Sequence, residues 1–386
     1  MNKKFSKIFA LALALIMCMA LSVPAFAVGT PASSEGSGQI TINKNLIMNS
    51  DANVPAATFT FKLEAYNNGS TKGPLFNGIM NGVKANGATY NTSNGITVSF
   101  DGNEPTKDGL PSDANSVVTD GQKYATETFT IDFTGVTFSE PGVYRYVITE
   151  NDVSSPYNIS SANTQYIDVY VEYAAQEDGS FADTLSIQGV FMHNDDSDIT
   201  DSSVTPSKSS GFDNMYTTYD LTVAMNVSGN QASKDEYFKF TVTITDCPVD
   251  DVYDVDIANA KSPDNTSTTL NVTGKQGSVD VYLQNGENFT VKGLPVGTKY
   301  TVTDETGTYT ATYVVTENGS VKVSDGSGAV YENTDGIIGN TTVTFTNTRG
   351  GVIPTGILLT IAPFAALMLL GTSGAFVILK KKSVAA

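Results

Sequence analysis

The sequence predicts an all-β chain of two tandem immunoglobulin-like β-sandwich domains. Three observations carry this. From residue 39 to residue 349, runs rich in Thr, Val, Ile, Tyr and Phe alternate with polar residues at the two-residue period of a strand, separated by Gly, Asn, Asp and Pro. Amphipathic helical patterns are absent outside the two ends. The order of segments also occurs twice. Each half opens with a strand and gives Phe-x-Phe, at Phe59/Phe61 and Phe238/Phe240. Each then passes a Gly–Tyr segment ending in an acid, and closes on Phe-x-Asn. The period places the domains at 39–217 and 218–349.

The ends read differently. Residues 1–27 hold Lys3, Lys4 and Lys7, an apolar stretch, and Ala25-Phe26-Ala27 as a small-x-small cleavage site, which is a secretory signal peptide. Residues 28–38 are rich in Ser, Gly and Pro and read as a flexible lead. At the other end, Ile357 to Leu379 is a 23-residue apolar run. At about 1.5 Å per residue it reaches roughly 34 Å, enough for about 30 Å of hydrocarbon. Residues 380–386, with Lys380, Lys381 and Lys382, would hold its end on the cytoplasmic side.

Composition bounds the function. The two processed ends contain six lysines and no acid, leaving 16 basic residues against 40 acidic ones, a formal charge of −24. Such a chain is repelled by nucleic acid and suits an exported surface. Cys18 leaves with the signal peptide, so Cys247 has no intramolecular partner and no disulfide supports the fold. His193 is the single histidine, too little for a His-based triad or a zinc site. The stretch His193 to Asp198 lacks EF-hand spacing and reads as a solvated loop. No metal and no cofactor is expected.

Strand alternation puts three polar residues of the first half into the core. In Ile40 to Leu46, Lys44 shares a face with Ile40, Ile42 and Leu46. In Tyr144 to Glu150, Glu150 shares a face with Tyr144, Tyr146 and Ile148, and Arg145 marks the other face as wet. In Phe212 to Tyr216, Asn214 shares a face with the two aromatics. Burial lowers the pKa of Lys and raises that of Glu. A neutral amine can attack a carboxamide that a protonated Glu polarises, losing ammonia and leaving a Lys–Asn amide. Tyr66 to Lys123 is a long Asn/Gly-rich excursion with one or two strands inside it.

The Lys44 strand, Gly142-x-Tyr144 to Glu150, and Phe212-x-Asn214-x-Tyr216 resemble the isopeptide-forming domain of Gram-positive shaft pilins. The resemblance implies a bond between Lys44 and Asn214 with Glu150 as the catalytic residue. Val352-Ile353-Pro354-Thr355-Gly356, within residues 350–356 and ahead of the apolar run, resembles the sorting signal of Gram-positive surface proteins. It departs from the common Leu-Pro-x-Thr-Gly form by a shifted proline. The resemblance implies sortase cleavage between Thr355 and Gly356. It also implies that Lys208, a short way before Asn214, is the polymerising lysine.

The second half repeats the pattern with one break. Asp304 shares a face with Tyr300 and Val302, and Asn347 with Val343 and Phe345, but the lysine position holds Met225. No bond is expected there unless Lys234 supplies the amine, and Asp304 and Asn347 should hydrogen-bond to each other or to backbone. Lys239 should face solvent.

The expected protein is a wall-anchored pilus shaft subunit with no turnover of its own. Its partners are a sortase, further copies of itself, peptidoglycan or its precursor, and ancillary pilins. The alternative is a monomeric wall-anchored adhesin. Such proteins place a long spacer before the motif, and here Arg349-Gly350-Gly351 is the whole spacer. An exported hydrolase needs a carboxylate pair in a cleft, which the sequence does not mark.

Overall fold

The computed structural model describes residues 33–66, 79–81, 95–111, 121–151, 153, 156–159, 163–176, 180–194, 196 and 208–351. The signal peptide, the sorting motif and the apolar run lie outside these. Among the described residues, no helix is long and apolar enough to cross a membrane.

The described chain is all β. Twelve strands precede Thr217: β1 (Ser33–Glu35), β2 (Gln39–Asn49), β3 (Ala57–Ala65), β4 (Ile79–Asn81), β5 (Ile96–Phe100), β6 (Thr106–Asp108), β7 (Gln122–Asp132), β8 (Gly142–Glu150), β9 (Tyr157–Ile159), β10 (Thr164–Ala175), β11 (Phe181–His193) and β12 (Gly211–Tyr216). One sheet runs β1-β11-β10-β8-β3-β5, with β4 on β8, and the facing sheet runs β6-β7-β2-β12-β9. Between them lies an apolar core that includes Ile40, Ile42, Phe61, Phe133, Tyr146, Ile167 and Phe212.

Eleven strands follow: β13 (Thr218–Ser228), β14 (Phe238–Asp246), β15 (Val252–Asp256), β16 (Thr269–Asn271), β17 (Gly277–Leu283), β18 (Asn288–Pro295), β19 (Lys299–Asp304), β20 (Thr310–Glu317), β21 (Ser320–Ser327), β22 (Val330–Asn333) and β23 (Thr341–Thr348). They form sheets β16-β15-β18-β13-β23-β20-β21 and β17-β14-β19-β22 around a second core.

In both halves the last strand returns parallel to the first. β12 lies on β2 with Phe212 opposite Lys44, and β23 lies on β13 with Phe345 opposite Met225. Gly211 allows the first approach: a Cβ there would fall 1.9 Å from the Asn43 carbonyl oxygen.

Three expectations change. Part of the presumed flexible lead forms β1, paired with β11. The excursion after Tyr66 contributes β4, β5 and β6, more strands than its composition suggested. The outer face of β8 is not wet. Val143 and Arg145 are both fully buried, because β10 and β11 bring Tyr166, Asp168, Tyr170, Phe191 and His193 to the same side. Alternation identifies a wet face only where nothing covers it.

Candidate functional site

Lys44, Glu150 and Asn214 converge in the first core. Lys44 and Asn214 lie on neighbouring parallel strands, two residues out of register, so their side chains leave the same face. Glu150 ends β8 in the opposite sheet, paired with Phe61 of β3. Its Oε1 lies 3.3 Å from Lys44 Nζ and accepts a hydrogen bond of 2.7 Å from Asn214 Nδ2. All three side chains are at most 1% exposed. Aromatic rings wall the site: Phe59 stands 4.6 Å from Lys44 Nζ, and Phe61 packs between Phe129 and Phe212.

This environment disfavours charge. Burial brings the Lys44 ammonium down to about 8, although Glu150 works the other way. Burial pushes the Glu150 carboxyl up, against the opposing pull of Lys44. The ion pair is close enough for Coulomb attraction but off the hydrogen-bonding direction. Lys44 Nζ thus has no hydrogen-bond partner, and Glu150 Oε2 and Asn214 Oδ1 have none either. Three orphaned polar atoms in one core cost several kcal/mol unless chemistry removes them (about 1–3 kcal/mol each).

Domain two reproduces the frame. Asp304 pairs with Phe240 as Glu150 pairs with Phe61. Asn347 follows Phe345 as Asn214 follows Phe212, with Phe240 and Phe345 in ring contact at 5.5 Å. Met225, buried, fills the lysine position. Burial raises the Asp304 carboxyl to about 7, and Asn347 is near enough to hold it down slightly. Hydrogen-bond geometry is nonetheless unmet: both carboxylate oxygens and both amide atoms lack partners. The expected Asp304–Asn347 or backbone hydrogen bond does not form. Lys234 is exposed before β14 and does not enter the core. Lys239 turns outward to Asp280 and Glu305, each at 3.2 Å.

Lys208 lies elsewhere, on the outer face of the first sheet. It is exposed, bridges to His193 through the backbone, and holds its ammonium 5.9 Å from the Phe191 ring centre. The Ser209 amide donates to the Met192 carbonyl. His193, read as part of a solvated loop, is instead buried at the end of β11. Its ring lies 3.1 Å from Asp168 Oδ2. Arg145 grips the same carboxylate with two bonds of 2.7 and 2.8 Å and reaches Asp196 at 2.9 Å. Burial pushes Asp168 up, but Arg145 and His193 outweigh it and hold its carboxyl below the usual range. Asp196 also accepts a bond from the Tyr66 hydroxyl. Asp196 belongs to the stretch read as a solvated loop, whereas Asp168, a lone acid within the apolar strand β10, carries no signal in the sequence. Val352 to Gly356 lie outside the described residues. Among those residues no cluster of three or more His, Cys, Asp or Glu could hold a metal.

Residues 40–217 match the Spy0128-like isopeptide containing domain, and residues 219–349 match a domain of unknown function. The chain is similar to a curated pilin of Streptococcus pyogenes serotype M1, 28% identical over 364 residues, spanning 89% of this chain and 91% of that protein. Among solved structures, the major pilin of Streptococcus pyogenes matches with TM-score 0.54 at 22% identity, over 84% of this chain and all of that one. The T3.2 major pilin of Streptococcus pyogenes matches with TM-score 0.55 at 21% identity, over 82% and 99%. These two show the shared fold. Fold and site together define a chain of tandem β-sandwiches whose first core brings Lys44, Glu150 and Asn214 together. Residues 40–217 carry the isopeptide-type domain, and over most of its length the chain is similar to Gram-positive shaft pilins.

Proposed function

We propose that the chain is the repeating subunit of a covalent pilus, stabilised by a Lys44–Asn214 isopeptide bond and joined to its neighbour by a sortase. The observation that carries this is the contact of one buried carboxyl, Glu150, with both a lysine amine and an asparagine amide. Proton transfer from Lys44 to Glu150 gives a neutral amine and a neutral acid, the forms that burial favours. Turning the Asn214 amide over places Oδ1 against the protonated Glu150, which polarises the carbonyl. The amine adds to Cγ, Glu150 passes its proton to the leaving nitrogen and takes one from the attacking nitrogen, and one ammonia departs as the amide forms. Each chain performs this once.

At the membrane, sortase cuts between Thr355 and Gly356 and holds the Thr355 acyl group. The exposed Lys208 amine of another copy takes it, giving a head-to-tail, open-ended fibre. The final acyl transfer is to a peptidoglycan precursor, and ancillary pilins use the same chemistry. The signal peptide and the apolar run supply export and retention, ahead of Lys380, Lys381 and Lys382. Denaturing gels of wall extract test the scheme. A ladder is expected, and Lys208→Ala should collapse it. A ladder that survives means another lysine is used. A lone monomer band in wild type would favour the adhesin.

A further inference from the structure

The load on such a fibre enters and leaves the subunit at particular places in this fold. This inference rests on linkage through Lys208 and Thr355. Lys208 stands three residues before β12, and β12 runs directly into β13. Tension arriving at Lys208 therefore crosses the first domain along β12 alone. The rest of that domain hangs beside the line of force, with β12 held on β2. The Lys44–Asn214 bond would anchor the loaded strand in its sheet.

Domain two is placed differently. Its whole length lies between the entry at Thr218 and the exit after Thr348. The exit sits at the far end of β13: the Arg349 amide donates to the Ser228 carbonyl, and the Gly351 amide to Asn230 Oδ1. Pulling the start of β13 against the end of β23 slides two parallel strands past each other. Eight register pairs, Leu221↔Thr341 to Ser228↔Thr348, resist that slide together. A Lys–Asn bond at the site of Met225 and Asn347 would remove the slide altogether. Met225 has no amine to make it.

We infer that domain two is the extensible element of the fibre, a shear-loaded sandwich left unlocked by Met225. It yields at high force and releases its chain while the first domain stays folded. The freed segment, residues 218–348, spans on the order of 400 Å when stretched.

Single-molecule stretching of sortase-assembled polymers tests this. Each wild-type subunit should add one lengthening step on the order of 400 Å. The step should vanish in a doubly substituted Asn226→Cys/Thr346→Cys chain under oxidising conditions and return on reduction. These positions are register partners on the outer face, at a spacing a disulfide spans, and Cys247 is buried away from them. A polymer linked through Lys208 that ruptures without steps overturns the inference, as does a step that survives the oxidised lock. A polymer that forms equally well with Lys208→Ala overturns the linkage reading itself, and the load path with it.

Discussion

Lys44 sits opposite Phe212 on the neighbouring parallel strand, which sets the Asn214 amide one diagonal step away and brings Glu150 against both. Residues far apart in sequence are thus brought together by strand register. That register also defines what happens when one member changes.

Intact mass should show the bond directly. The chain from residue 28 to 351 is expected to weigh less than its sequence by one ammonia. Lys44→Ala, Asn214→Ala and Glu150→Ala should each restore the full mass. Losing the cross-link removes a closed loop of about 170 residues from the unfolded state, worth roughly 5 kcal/mol. At about 2–4 °C per kcal/mol, the first domain should melt roughly 10–20 °C lower.

Met225→Lys should create a second bond. The frame already holds Asp304 opposite Phe240 and Asn347 two residues beyond Phe345, with their polar atoms unpartnered. The variant is expected to lose two ammonias, and Asp304→Ala in the same chain to return the loss to one. A single loss in Met225→Lys would mean the retained acid and amide are no longer competent.

Domain two should weaken as pH rises through the acid range. The buried Asp304 carboxyl has its pKa raised to about 7, so it holds its proton more tightly folded than unfolded. The stability linked to it is fully present below about pH 4 and is lost as pH approaches 7, roughly 4 kcal/mol in all. Melting curves between those limits should show the fall, and Asp304→Asn should flatten it.

Gly211→Ala should slow cross-linking without touching a reactive group. A Cβ at this position meets the Asn43 backbone, so β12 must shift away from β2. A destabilisation of about 1–3 kcal/mol is expected from the clash. The time course of ammonia loss after refolding should lengthen relative to wild type.

The candidate site was legible because each member broke a local rule. Lys44, Glu150 and Asn214 occupy positions that period-2 alternation assigns to a core, and Met225 stands out only because the frame around it repeats. Arg145 was misread for the converse reason. A single charge was taken to mark its face of β8 as wet although Val143 and Val147 share that face, and nothing nearby in sequence announces that Asp168 and His193 will cover it. A strand's second face is decided by segments that pair with it from elsewhere.

The sequence by itself determined the all-β class and the polar residues bound for the interiors, because the side-chain direction along a strand is a local property. Only the tertiary structure decided which of those residues meet. Parallel return of β12 onto β2 and of β23 onto β13 sets the partners, and distant strand pairing is not written in either segment alone. The same pairing gives Met225 its meaning, as the missing amine between two strands that a pull along the chain would slide apart.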